Sequence, residues 1–175
     1  MNPAITVRPA TREDAELIAD LSRETFYETF ASQNTPVDMD KFMQTQFAKD
    51  KLMQELNEPE NLFFIAYNED QVAGYLKLGD GKNPMQLQNV SAIEIVRIYS
   101  VTSMIGKGIG KALMQTSINT AIERNKDIIW LGVWERNQRA IAFYQKWGFK
   151  KFGEHDFILG NDIQSDWLMK KHLNV

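Results

Sequence analysis

Apolar positions change their spacing near residue 60, and the change divides the chain into a helical first part and a strand-rich remainder. Ile5-Thr6-Val7-Arg8 is a short apolar opening that predicts a first strand. Thr11 followed by Asp14 predicts a cap for the next helix, with Asp14 as a shorter stand-in for Glu or Gln. Ala15, Ile18, Leu21, Tyr27 and Phe30 then recur at gaps of three, three, six and three, the mark of one helical face. Asn34-Thr35-Pro36 breaks that helix. A second helical stretch is expected from Val37 to about Leu56, with Met39, Phe42, Met43 and Phe47 on its apolar side.

After Pro59 the period shortens. Leu62–Tyr67 and Val72–Leu78 flank the turn residues Asn68-Glu69-Asp70-Gln71, which predicts a hairpin. Gly79–Asn89 is polar and reads as a loop. Ala92–Val101 is a long strand, and Gly106–Arg124 opens on glycines and continues as an amphipathic helix. Ile128–Val133 is a further strand, Arg139–Trp147 a short helix stopped by Gly148, and Phe149 onward a last strand pair. Strand, helix, strand and helix after a hairpin predict an α/β chain with a mixed sheet covered on both faces. Residues 1–175 read as one domain, without repeats, linkers or low-complexity segments.

Composition narrows the chemistry only a little. With no cysteine, disulfides, thiolate metal sites and a cysteine nucleophile are excluded, in agreement with a cytoplasmic location. Met1-Asn2-Pro3-Ala4 lacks the pattern of a secretory leader, and no apolar run approaches membrane-spanning length. A net charge of -3, without a basic stretch or helix-turn-helix pattern, argues against a nucleic-acid partner and is compatible with a cationic one. Neither His155 nor His172 has the companions a metal site needs, so no metal is expected. A monomer and a homodimer fit equally well.

Ile105-Gly106-Lys107-Gly108-Ile109-Gly110 is the sharpest local feature, lying between a strand and a helix. Glycines there allow either a plain tight turn or a close backbone approach to a phosphate, with Lys107 adding charge. A Walker loop is excluded because Ala112 follows Lys111. A dinucleotide fold would place its glycines after the first strand of the unit, not past mid-chain. Downstream, Asn137 is suited to cap a helix carrying Ala140, Phe143, Tyr144 and Trp147, and Gly148-Phe149 ends it.

Taken together, these pieces resemble the Gcn5-related N-acetyltransferase superfamily. The matching segments are Glu94-Ile95-Val96-Arg97-Ile98-Tyr99, the Gly108-Ile109-Gly110 loop, Leu131-Gly132-Val133-Trp134-Glu135-Arg136-Asn137, and the run through Tyr144 to Phe149. Thr25-Phe26-Tyr27-Glu28-Thr29-Phe30 and Gly153-Glu154-His155-Asp156-Phe157 are similar to the bacterial PaiA-type polyamine acetyltransferases. Two departures stand out: Ile105 where the phosphate loop commonly begins with Gln or Arg, and Ser100 and Thr102 where other residues are frequent. Backbone donors survive both, so cofactor binding is expected to survive as well.

The resemblance implies the acyl-coenzyme A N-acyltransferase fold, with its two central parallel strands splayed around the pantetheine arm of acetyl-coenzyme A. It places cofactor contacts at Ile98, Tyr99, Ser100, Ile105, Gly106, Lys107, Gly108, Ile109, Gly110, Lys111, Asn137 and Tyr144. Within that frame the Ile98 amide faces the acetyl oxygen, Ser100 pairs with the arm, and Tyr144 returns a proton to the departing thiolate. The acceptor is a primary amine, and an alkylamine with a pKa of about 10.4 arrives protonated. Glu94 is the best candidate for its base, four residues before Ile98 and so on the same side of an extended strand. It reads equally as a glutamate paired to a neighbouring cation or one that binds the acceptor. Arg97 reads as a structural or phosphate-side cation. Tyr27, Glu28, Phe30, Asn34, Trp134, Glu135 and His155 complete the expected acceptor site, for which spermidine or spermine is the first choice. A peptide, amino-acid or antibiotic amine is the alternative, and a non-catalytic sensor of coenzyme A the more distant one.

Overall fold

The computed structural model describes residues 4–173; Met1-Asn2-Pro3, read above for a leader, lies outside them. Among the described residues seven strands form one sheet: β1 (Ile5–Pro9), β2 (Asn61–Asn68), β3 (Gln71–Gly79), β4 (Ala92–Ser100), β5 (Ile128–Trp134), β6 (Lys150–Leu159) and β7 (Asp162–His172). Their order is β1-β2-β3-β4-β5-β7-β6. Neighbours run antiparallel except the central pair β4 and β5, which is parallel.

Among the described residues five α-helices cover both faces, as the alternation of elements predicted: α1 (Ala15–Phe30), α2 (Pro36–Thr45), α3 (Lys49–Gln54), α4 (Ile109–Glu123) and α5 (Gln138–Lys146). On one face α4 and α5 bury Leu113, Met114, Ile141 and Tyr144 against Leu76, Ile93, Ile95 and Leu131. On the other, α1 packs Ile18 and Leu21 over Phe63, Ile65 and Tyr75, while Phe26 joins Phe42, Phe47 and Leu159 in an aromatic cluster. The cap at Thr11 and Asp14 is present: the Asp14 carboxylate accepts from the Thr11 amide at 2.7 Å and is clasped by Arg8. It closes a 3₁₀ turn at Arg12–Asp14 that leads into α1.

The helical region differs from expectation in two places. Tyr27 is 50% exposed and Phe26 is buried in its stead, because Phe26 and Phe30 lie one turn apart on the core face and Tyr27 is rotated off it. The stretch from 37 to 56 is two helices rather than one. The Phe47 amide reaches back to the Phe42 carbonyl at 2.9 Å, which ends α2. Arg23 then donates to the Met43 and Phe47 carbonyls at 2.7 and 2.5 Å, satisfying the freed acceptors of that helix end.

Between β4 and β5 the pairing runs from Ala92↔Ile128 to Ile95↔Leu131 and stops, although both strands continue. A register shift against β3 falls at the same point: Leu78 faces Ile95 and Lys77 faces Arg97, leaving Val96 as the extra residue of a bulge. A bulge bends its strand and adds twist, so β4 turns away from β5 there. The expected splay is observed, and this bulge is its local cause.

Above the splay, Gly74 of β3 has Tyr99 and Ser100 for neighbours; a Cβ added to it would meet the Tyr99 carbonyl oxygen at 2.4 Å. Gly74→Ala is therefore expected to lower stability by about 1–3 kcal/mol, read as a shift in the urea midpoint. An unchanged midpoint would mean that the two strands have slack.

Candidate active site

The splay opens a cavity of about 610 Å³ that passes between β4 and β5, from the α1–α2 side to the α5 side. That volume is usual for a small-molecule site. Its walls come from β4, the start of α4, β5, α5 and the aromatic cluster under α1 and α2.

The backbone of β4 is oriented by its partner. The Val101 amide donates to the Ala73 carbonyl of β3 at 2.8 Å. Backbone groups alternate sides along a strand, so Tyr99 also faces β3, while Ile98 and Ser100 present theirs to the gap that β5 has left. The expected directions of Ile98 and Ser100 agree with this. Tyr99 turns its backbone into the β3–β4 ladder and stacks its ring on Tyr75 at 6.0 Å.

At the entrance to α4, Gly106 and Gly108 adopt φ of +84° and +92°, a left-handed conformation that glycine takes without strain. Among the described residues their amides have no hydrogen-bonding partner, and the first amides of the 15-residue helix α4 lie beyond them. Such a row of outward donors at a helix start suits a phosphate. Of the expected cofactor set, Ile98, Tyr99, Ser100, Ile105, Gly110, Asn137 and Tyr144 line the cavity. Gly106, Lys107, Gly108, Ile109 and Lys111 stand outside its lining, in the loop and first turn. The Ile109 side chain is buried in the core, which leaves only its backbone for a ligand.

Tyr144 projects from α5 into the cavity and is nearly buried. Burial alone pushes its phenol pKa upward, so the proton is held firmly at neutral pH. Asn137 caps α5, its side-chain oxygen accepting from the Ala140 amide at 3.2 Å. It also lines the cavity.

Glu94 opens on the other side. The bulge at Val96 inverts side-chain parity, so Ile93, Ile95 and Ile98 share the α4–α5 face, whereas Glu94 lies with Arg97 and Tyr99 on the α1–α2 face. The expectation that Glu94 and Ile98 point the same way is overturned by that one extra residue. Burial pushes the Glu94 carboxyl up to about 7, against the opposing pull of Lys77 and Arg97. Those two cations are held by another acid: Glu55 accepts from Arg97 through a two-pronged contact at 2.6 and 3.0 Å and pairs with Lys77 at 3.1 Å. Arg97 also lies over the Phe47 ring, which makes it a structural cation.

Of the expected acceptor residues, Phe30, Glu94, Trp134 and His155 line the cavity. Tyr27 faces outward. Glu28 accepts from the Thr102 hydroxyl and is turned away. Asn34 is engaged with the Phe30 carbonyl and with Gln164, so it braces the wall from behind. Glu135 follows β5 in a turn, outside the lining. Sequence reasoning missed Gln46, Gln164 and Asp166, which do line the cavity. For Asp166 the only trace is its place in a strand of alternating residues, which fixes no neighbours until β6 and β7 are paired.

Comparisons with known proteins agree with this geometry. The pattern of the Acetyltransferase (GNAT) family matches residues 19–149. An uncharacterized N-acetyltransferase in the pepI 3' region of Lactobacillus delbrueckii subsp. lactis is 40% identical over 95% of this chain and 96% of its own. The spermidine N(1)-acetyltransferase of Thermoplasma acidophilum is 24% identical over 93% of this chain and 99% of its own. Among solved structures, the PaiA N-acetyltransferase of Thermoplasma acidophilum in complex with coenzyme A superposes with a TM-score of 0.78 at 22% identity, covering 97% and 99% of the two chains. A family match across most of the chain, joined to a splayed central strand pair and a glycine-led helix start, makes the protein a member of the GNAT family of acetyltransferases.

Proposed function

We propose that the enzyme acetylates a primary amine of a small cationic molecule, with spermidine or spermine as the acceptor, by direct attack within a complex of both substrates. The family draws its acetyl group from acetyl-coenzyme A, which supplies a thioester carbon open to attack by a neutral amine. The glycine amides before α4 suit its pyrophosphate, and the unpaired backbone of Ile98 and Ser100 suits its amide-bearing arm.

Glu94 is the observation that carries the reading. Its carboxylate has no ion-pair partner among the described residues, lies in the cavity on the α1–α2 side, and has a pKa raised to about 7. In that state it accepts a proton from an incoming ammonium near neutral pH. Phe30 and Trp134, 6.0 Å apart edge to face, offer ring surface to a cationic chain. On the opposite side of the gap the Tyr144 hydroxyl holds the proton that a departing thiolate needs. The Ile98 amide, aimed into the gap, is placed to donate to the oxygen on which charge develops. The 24%-identical spermidine acetyltransferase supports the choice of amine.

The test is transfer of radiolabelled acetyl from acetyl-coenzyme A across a panel of polyamines, amino acids, an aminoglycoside and short peptides. Turnover of spermidine or spermine with kcat/KM at least tenfold above the other amines is expected. Inactivity on both polyamines with good turnover of a peptide would replace the reading.

A further inference from the structure

Charges inside the fold divide into those that are answered and those that are not. Asp14, Glu55 and Asp80 have side chains 12%, 21% and 17% exposed, and each holds a cation: Arg8 at 2.8 Å, Arg97 at 2.6 Å with Lys77 at 3.1 Å, and Arg124 at 3.1 Å with Lys126. The Asp166 side chain is 14% exposed, as withdrawn as these, yet its only ionic neighbour among the described residues is His155, with Nε2 3.7 Å from Oδ2. That distance is too long for a hydrogen bond, and the imidazole is largely open to solvent. A carboxylate removed from water without donors is costly to the fold, and burial accordingly raises its pKa. Asp166 lines the same cavity as Glu94, the other acid there without a lysine or arginine partner.

Strand register puts both acids on one face. Glu94 lies beside Trp130, and Asp166 lies directly opposite both Trp134 and His155. Residues opposite one another share a face, and Trp130 and Trp134 are an even number of residues apart. Four residues of β5 therefore separate the two acids along the strand, roughly 13 Å at the rise of a β-strand. Midway stands Gly132. A Cβ there would lie 3.6 Å from both Asp166 Oδ2 and His155 Cε1, so the Asp166 carboxylate leans back over this glycine, and the missing side chain leaves room for it and opens the floor from there toward Glu94. The far wall is Phe157 and Gln164, themselves a cross-strand pair.

We propose that Asp166 is the second anchor of the acceptor site: it takes the distal ammonium of an extended polyamine whose other end lies at Glu94 and the strand gap. The assignment rests on the polyamine reading above and adds to it a length rule. An acceptor must reach from the strand gap beside Glu94 to the carboxylate over Gly132 to gain from Asp166, so a diamine too short to bridge gains nothing. Asp166 touches the acceptor far from the reacting atoms, and its contribution belongs in KM rather than kcat.

The experiment compares the full-length wild type with Asp166→Asn, using acetyl-coenzyme A with spermidine and with 1,2-diaminoethane. Unchanged coenzyme A affinity and a thermal midpoint no lower than that of the wild type show that the variant is folded. Expected is a KM for spermidine raised roughly tenfold or more, a kcat within about twofold, and a kcat/KM for 1,2-diaminoethane that is the same in both proteins. The wild type alone gives a second readout: across unbranched diamines of increasing length, kcat/KM climbs once the chain reaches Asp166. Equal spermidine KM in the two proteins, equal losses for both acceptors, or no length dependence in the wild type overturns the proposal. A wild type that turns over neither amine overturns the polyamine reading and this anchor with it, and that failure is distinct because it precedes any substitution.

Discussion

Replacing Tyr144 with phenylalanine is expected to cut kcat by about two to three orders of magnitude while leaving coenzyme A affinity within about twofold, the span that positioned acid catalysis supplies. The substitution removes one oxygen from a ring packed 6.0 Å from Phe149 and 5.5 Å from Phe143, so the apolar contacts of α5 remain. Nothing in the fold depends on that oxygen, since only burial acts on the phenol. A core tyrosine without a catalytic part would behave differently: its phenylalanine variant would keep kcat. Steady-state kinetics with saturating amine, alongside calorimetric binding of coenzyme A, separates the two. A kcat within threefold of wild type would remove Tyr144 from the mechanism. In the proposed mechanism the proton goes to sulfur, so the loss should also shrink with an acyl donor whose thiol is more acidic and leaves without help.

What the sequence disclosed about this site depended on how local the relevant physics is. The glycines before α4 and the Asn137 cap are read from a few adjacent residues, and both stand where they were expected. The splay was implied by resemblance, but the bulge that produces it was overlooked. Its trace is nevertheless there: apolar residues that face the α4–α5 core occur at 93, 95 and 98, a step of two and then of three. That one irregular step moves Glu94 across the sheet from Ile98 and puts the acid on the α1–α2 side. The division of residues 37–56 into two helices was hidden for a different reason. It is fixed by Arg23, which reaches from α1 to the carbonyls at the end of α2, and no window along the chain contains both partners. Asp166 was hidden in the same way. It becomes a neighbour of His155 and Gly132 only through the pairing of β7 with both β5 and β6.

Glu94→Gln is expected to change activity and stability in opposite directions, and that pairing distinguishes a functional acid from a structural one. An unfolded glutamate titrates near 4.5, and Glu94 in the fold near 7. Below pH 4.5 both states hold the proton, and the site costs the fold nothing. Between the two values the unfolded chain releases a proton that the folded one keeps, so stability falls as pH rises, and the loss is complete above about 7. Glutamine carries no charge at any of these values. The variant should therefore match wild type at pH 4 and exceed it at pH 8 by about 3 kcal/mol, seen as a higher thermal midpoint only at the higher pH. Over the same range kcat/KM of the wild type should rise with an inflection near 7, set by deprotonation of the free enzyme. In the variant that inflection should vanish and kcat should fall by about a hundredfold. A glutamate retained to pair with Lys77 or Arg97 would do the reverse, since its replacement would leave a buried cation unanswered and weaken the fold at pH 8. Those cations are already matched to Glu55, which leaves the Glu94 carboxylate without a cation of its own, as the proposed acceptor requires.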